Sequence, residues 1–178
     1  SGAGGTRRRS LLATDVELAS MRCGTMAPLV YTALPSGGII GYPSADSLAS
    51  NTIITVESLM SAPVSQINDQ CLTEMKKIYD VVLEYLGKGS ATVWAEEPNL
   101  DTLQRMLNTI AFGTGVARNL HAQGSATTAT RMADLIQQTE NVTAIRSFGT
   151  ISGEAAKTLD SSLVRSKIYR VRTPIAGA

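Results

Sequence analysis

Aromatic side chains are scarce in this chain, eight among 178 residues, and it has only two cysteines and one histidine. Each scarcity closes off a class of function. With His121 as the lone imidazole, a histidine-based metal site would have to gather carboxylates or thiols from afar, and nothing sits at zinc-ligand spacing. His121 therefore reads as a structural or surface residue. Cys23 and Cys71 each fall in a helical stretch, Cys71 on an apolar stripe where a thiol acts as a small hydrophobe. Buried free thiols and a reducing compartment are expected, rather than a disulfide. A nucleophilic pair of either cysteine with His121 is disfavoured for the same reason. No apolar run reaches 18 residues, so no transmembrane helix is predicted. The basic N-terminus lacks the apolar stretch of a secretory signal, and "TRRRSLLAT" is too short for a transit peptide. The expected location is intracellular or in a virion.

Glycine motifs are equally unproductive. In "YLGKGSAT" Val82 stands where a phosphate loop needs its first glycine, and Gly89 separates Lys88 from Ser90. "FGTGVAR" has Gly113 and Gly115, but Arg118 replaces the third glycine and no strand leads in. Glu96 and Glu97 are sequence neighbours that point apart and read as a solvated loop before Pro98. The sequon at Asn141 lies on a predicted helix, and Ser10 resembles a basophilic-kinase site of a kind common by chance. Catalytic residues, metal ligands, cofactors and a small-molecule substrate are all expected to be none, and the chain is not expected to be an enzyme.

What is present is a body of small side chains, Ala, Ser and Thr making up about a third of the residues. The length suits one domain with arms. The expected fold is all-α, a five- or six-helix bundle with a minor β-hairpin and extended basic arms at both ends. The arms are assigned to residues 1–13 and 169–178, and the helical core to 14–168. Thr14 or Asp15 caps a first helix with Val16, Leu18 and Met21 as its apolar residues. Residues 27–43, around the turn signal Pro35-Ser36-Gly37-Gly38, read equally as a packed loop or a small hairpin. A helix is expected around Ile53, Val56, Leu59 and Met60.

The clearest element starts at a Ser65 cap. Ile67, Cys71, Met75, Ile78, Val82 and Leu86 form one apolar face, with Asp69, Glu74, Lys76, Lys77, Asp80 and Glu84 solvated and Gly87 as the stop. A further helix runs on Leu100, Leu103, Met106, Leu107 and Ile110, with a kink expected near Gly113 and Gly115. After a break at Gly124 and Ser125, Met132, Leu135, Ile136, Val142 and Ile145 mark the next. Ser152 is expected to cap a last helix on Leu159, Leu163, Val164 and Ile168.

Charge is laid out unevenly. Residues 1–10 carry a net +3 and residues 161–178 a net +4, neither with an acid, whereas residues 11–160 carry a net −6; the total is +1. Six of the seven basic residues in the ends are arginine, whose planar fork grips phosphate or carboxylate. The arms are expected to hold nucleic-acid phosphates, or to dock on the acidic body of a neighbouring copy, or simply to be solvated. The first two are compatible in a subunit that must hold both its copies and a genome, the general make-up of viral coat and nucleoproteins. The expected function is a self-assembling structural protein of coat or nucleocapsid type. Its candidate contacts with RNA or DNA backbone are Arg7, Arg8, Arg9, Arg165, Lys167, Arg170 and Arg172. Alternatives are a matrix or adaptor module on anionic membrane, or an accessory subunit of a large complex.

Overall fold

The computed structural model describes residues 13–32, 45–90, 100–147, 155–162 and 164–168. These form a helical bundle with a two-stranded antiparallel hairpin at its C-terminal end. In order come α1 (Asp15–Met26), the four-residue α2 (Leu29–Thr32), α3 (Ala45–Met60), α4 (Asp69–Ser90), α5 (Leu100–Ala122), α6 (Thr128–Ser147), β1 (Lys157–Asp160) and β2 (Arg165–Ile168). A single turn of 3₁₀-helix, Val64–Gln66, leads into α4.

Thr14 caps α1 as expected. Its hydroxyl accepts from Glu17 N while the Glu17 carboxylate accepts from Thr14 N, a reciprocal capping box that holds the Glu17 carboxyl below its usual range. The buried face is a different one from that expected. Ala19, Cys23 and Met26 enter the core, while Val16 is 78% and Met21 66% exposed. Two small residues, Ala19 and Cys23, together with Met26 in the last turn, make the contact of α1 with its neighbours.

All six residues of the expected stripe are buried, Ile67 just ahead of α4 and the other five on it. Ser65 is not the cap: it lies in the 3₁₀ turn, and Asn68 Oδ1 accepts from Cys71 N at 3.1 Å instead. Gly87 does not stop α4, which runs on to Ser90. Glu74 is not solvated; it is buried at 9% exposure and receives Lys77 Nζ at 3.0 Å.

The two cysteines are joined, contrary to expectation. α1 lies against α4 with the Cys23 and Cys71 Cα atoms 4.6 Å apart, and the sulfurs form a disulfide inside the core. Periodicity places Cys71 in the interior, but nothing in it shows that α1 brings Cys23 to the same spot. The pairing removes the ground for a reducing compartment, since disulfides persist in oxidising surroundings.

α5 packs on α3, α4, α6 and β1. It runs as one helix through Gly113 and Gly115, where the kink is expected. Gly113 is a close-approach position: a Cβ there would meet Leu135 Cδ2 at 3.1 Å and Leu72 Cδ2 at 3.3 Å, so its hydrogen lets α6 and α4 close in. α5 ends as expected at Gly124, with φ +77°, whose N–H reaches His121 O while Ser125 N reaches Leu120 O. His121 is exposed in the last turn of α5. Of the α6 residues singled out, Leu135, Val142 and Ile145 are buried, whereas Ile136 is exposed.

The largest correction is at the C-terminal end. Residues 157–168 are a hairpin, not a helix. Leu159 is wholly buried between exposed Thr158 and Asp160, a period of two, and β1 contacts both α5 and α6. Ser161 closes the turn: its N–H donates to Val164 O at 2.7 Å and its hydroxyl accepts from Val164 N at 3.0 Å. The other hairpin reading, over 27–43, fails at Leu29–Thr32, which is helical; residues 33–44 lie outside the described residues. So do the expected Ser152 cap, Leu163 and the Glu96–Glu97 loop. No helix among the described residues is long and apolar enough to cross a membrane.

Candidate nucleic-acid interface

Of the seven predicted phosphate contacts, the structure describes two, Arg165 and Lys167. Arg7, Arg8, Arg9, Arg170 and Arg172 lie outside the described residues, as does Tyr169. Arg165 and Lys167 are two apart on β2, so both emerge on the same face of the hairpin, and both are exposed. Cross-strand register sets Lys167 opposite Thr158 and Arg165 opposite Asp160. Ser166 and Ile168 turn the other way, Ser166 coming within 3.5 Å of the Thr143 hydroxyl on α6.

The hairpin is held to the bundle at both strands. Beneath β1 the Leu159 side chain is fully buried. At its outer edge the Gln104 side-chain amide takes both backbone groups of Asp160, accepting from its N–H at 3.3 Å and donating to its carbonyl. This is how the face bearing Arg165 and Lys167 is positioned on rigid structure.

Arg165 already has a partner. Its Nε and Nη2 reach Asp160 Oδ2 at 2.9 and 2.8 Å, and the carboxylate raises the guanidinium pKa above its ordinary value. Arg165 remains 80% exposed, so the pair is a surface one that salt screens and an incoming anion can displace. This pairing follows from the turn and has no signature in the sequence.

Several basic side chains of the body are engaged in ion pairs between or along helices. Arg105 bridges Glu57 at 2.6 Å and Asp101 at 2.7 Å, tying α5 to α3. Arg131 forks onto Asp69 with Nε–Oδ1 at 2.6 Å and Nη2–Oδ2 at 2.9 Å, tying α6 to the start of α4; Thr127 donates to the same carboxylate. These bonds, Arg131 foremost, hold the Asp69 carboxyl below its usual range. Lys76 reaches Asp80 at 2.5 Å, and Arg22 donates to Leu59 O and Gln66.

Beside these pairs a groove of about 390 Å³ opens between α4 and α6. Leu83 and Ile145 form its floor, Asp80 and Glu84 its acidic rim, and Asn141 the facing wall; Gly87 and Ala144 leave a notch at one end. Sequence reasoning placed Asp80 and Glu84 on the solvated face of α4, but the wall supplied by α6 has no signature in sequence. Among the described residues no three His, Cys, Asp or Glu side chains converge as metal ligands would, and both cysteine sulfurs are in the disulfide. No protein-family model, curated protein or solved structure matches this chain.

Proposed function

We propose that this chain is a self-assembling structural subunit of coat or nucleocapsid type that holds nucleic-acid phosphates, without base specificity, through its basic ends. The observation that carries the reading is the separation of charge: a net +7 in the two end segments against −6 in the body between them. Its support from the fold is that Arg105 and Arg131 are held in part-buried ion pairs of the body, while Arg165, paired with Asp160 yet 80% exposed, and Lys167 stand on the outer hairpin face. Arg170 and Arg172 follow within four residues of β2. A cluster of this kind binds by displacing counterions, a sequence-independent contribution that weakens steeply with salt. The disulfide suits a particle outside a reducing cytosol.

The test is the mass and the ratio of absorbance at 260 and 280 nm of protein purified without nuclease, in low and then high salt. Large particles carrying nucleic acid that come apart in high salt are expected; a nucleic-acid-free monomer in both overturns the reading. Lys167→Gln should weaken binding to all sequences alike and reduce the salt slope by about one. Loss confined to one sequence would contradict it.

A further inference from the structure

The groove between α4 and α6 combines an apolar floor with an acidic rim, and the most basic run of the chain is one that fits it. We propose that residues 7–11 of a second copy occupy this groove, so that copies join head to tail. The inference rests on the self-assembly reading and assigns its contact; phosphate binding is then left to Arg165, Lys167, Arg170 and Arg172.

The match is one of spacing as well as sign. Asp80 and Glu84 are one i,i+4 step apart on α4, about 6 Å along the axis. In an extended segment Arg7 and Arg9 share a face at about 6.6 Å. Leu11 is the next residue on that face. With Arg7 at Asp80 and Arg9 at Glu84, Leu11 falls at the notch between Gly87 and Ala144. A Cβ at Gly87 would have nothing within 4 Å, so the notch has room for an apolar side chain. Arg8 and Ser10 face away into solvent.

Neither carboxylate needs to be vacant beforehand. Lys76 and Asp80 form an exposed i,i+4 pair, a kind worth little in water, and a guanidinium fork outcompetes a single ammonium. Charge complementarity then extends beyond the groove, because a +3 segment meets a −6 body.

A second copy is required by reach. The arm leaves α1 at Asp15, which sits beside Gln66 at 3.2 Å, ahead of the first turn of α4. Cys71, where α1 is fastened, and Asp80 are nine residues apart on α4, half a turn out of phase, so α1 and the groove lie on opposite flanks. Glu84 is about 23 Å farther along α4 than its first residue, and the helix itself is about 10 Å across. Gly87 is about 27 Å beyond the first residue of α4, whereas Leu11, four residues before Asp15, extends at most about 14 Å from it. The arm of the same copy therefore cannot seat Leu11 in the notch in this register. A contact between an arm and a groove on different faces is heterologous and propagates into a ring or filament.

The experiment uses the full chain in low salt. Sedimentation velocity is run on the wild type, on R7E/R9E, on D80R/E84R, and on the two variants mixed. Each variant alone should lose the assembled species, and mixing should restore association, since arginines on one copy meet glutamates on the other. A labelled peptide of residues 5–13 is titrated in parallel. It should saturate R7E/R9E and bind D80R/E84R weaker by about tenfold or more. Ala144→Trp, at an exposed position, fills the notch without touching the core and should weaken the peptide as well. D80R/E84R that assembles and binds peptide like the wild type overturns the groove while leaving self-assembly standing. A wild type that stays monomeric removes the self-assembly reading and the second copy with it. If peptide still binds R7E/R9E better than the wild type in that case, the arm folds onto its own copy, and the reach argument is wrong.

Discussion

The sulfurs of Cys23 and Cys71 join α1 to the first turn of α4 inside the core, across 48 residues of chain. Asn68, which caps α4, places its Oδ1 2.9 Å from the Cys23 sulfur, so cap and crosslink occupy the same corner. Cutting the crosslink releases the loop in the unfolded chain, a change worth about 4 kcal/mol at this length. Reduction, or Cys23→Ala with Cys71→Ala, should lower the unfolding free energy by that order and move the denaturant midpoint down accordingly. Equal midpoints with and without reductant would show that the bridge does not form.

Asp69 links pH to stability. Its carboxyl is held below its unfolded value, first by the Arg131 hydrogen bond, so the bond's stabilisation is complete above about pH 4 and is lost as pH falls through the folded value. Asp69→Asn should cost about 1–2 kcal/mol at neutral pH, between an exposed and a buried pair. The variant and the wild type should converge in acid. A constant difference from pH 7 to pH 2 would deny the linkage.

Tyr79 is fully buried, and burial drives its hydroxyl pKa far above the ordinary value. The hydroxyl lacks a well-formed hydrogen bond: Thr109, its polar neighbour, donates to Arg105 O at 2.9 Å. A buried, unpaired hydroxyl costs about 1–3 kcal/mol, so Tyr79→Phe should leave the melting temperature unchanged or raise it. A large drop would reveal a partner for the hydroxyl.

Gly113 and Gly115 on α5 should respond oppositely to a methyl group. Gly115 faces open space, and Gly115→Ala should stabilise by about 0.5–1 kcal/mol through helix propensity. At Gly113 the same gain is set against Leu135 and Leu72, and Gly113→Val should destabilise by about 1–3 kcal/mol. Chemical denaturation of the two variants beside the wild type gives the order directly.

The long helices were legible because their apolar residues recur at helical spacing whatever packs on them; the stripe of Ile67 and α4 shows it in all six positions. The hairpin was not, because Leu159, Val164 and Ile168 also suit a helical stripe. What decides for strands is tertiary: β1 packing on α5 and α6, and the Gln104 and Thr143 contacts. α1 misled in another way, since its core face is made of Ala19, Cys23 and Met26 while Val16 and Met21 stay outside. The disulfide and the groove each need two helices brought side by side, which no single-helix pattern encodes. For the candidate contacts, composition located Arg165 and Lys167, and strand alternation explains why they share a face.

Gln104 has a wider consequence. By taking the outward N–H and carbonyl of Asp160, its side chain stands in for the strand that β1 lacks. An edge of sheet left bare invites any passing extended chain to zip onto it, a hazard that grows with crowding. Here one amide, projecting from a helix, blunts that margin of the hairpin. Encounters between molecules are thereby steered away from amyloid-like stacking at β1.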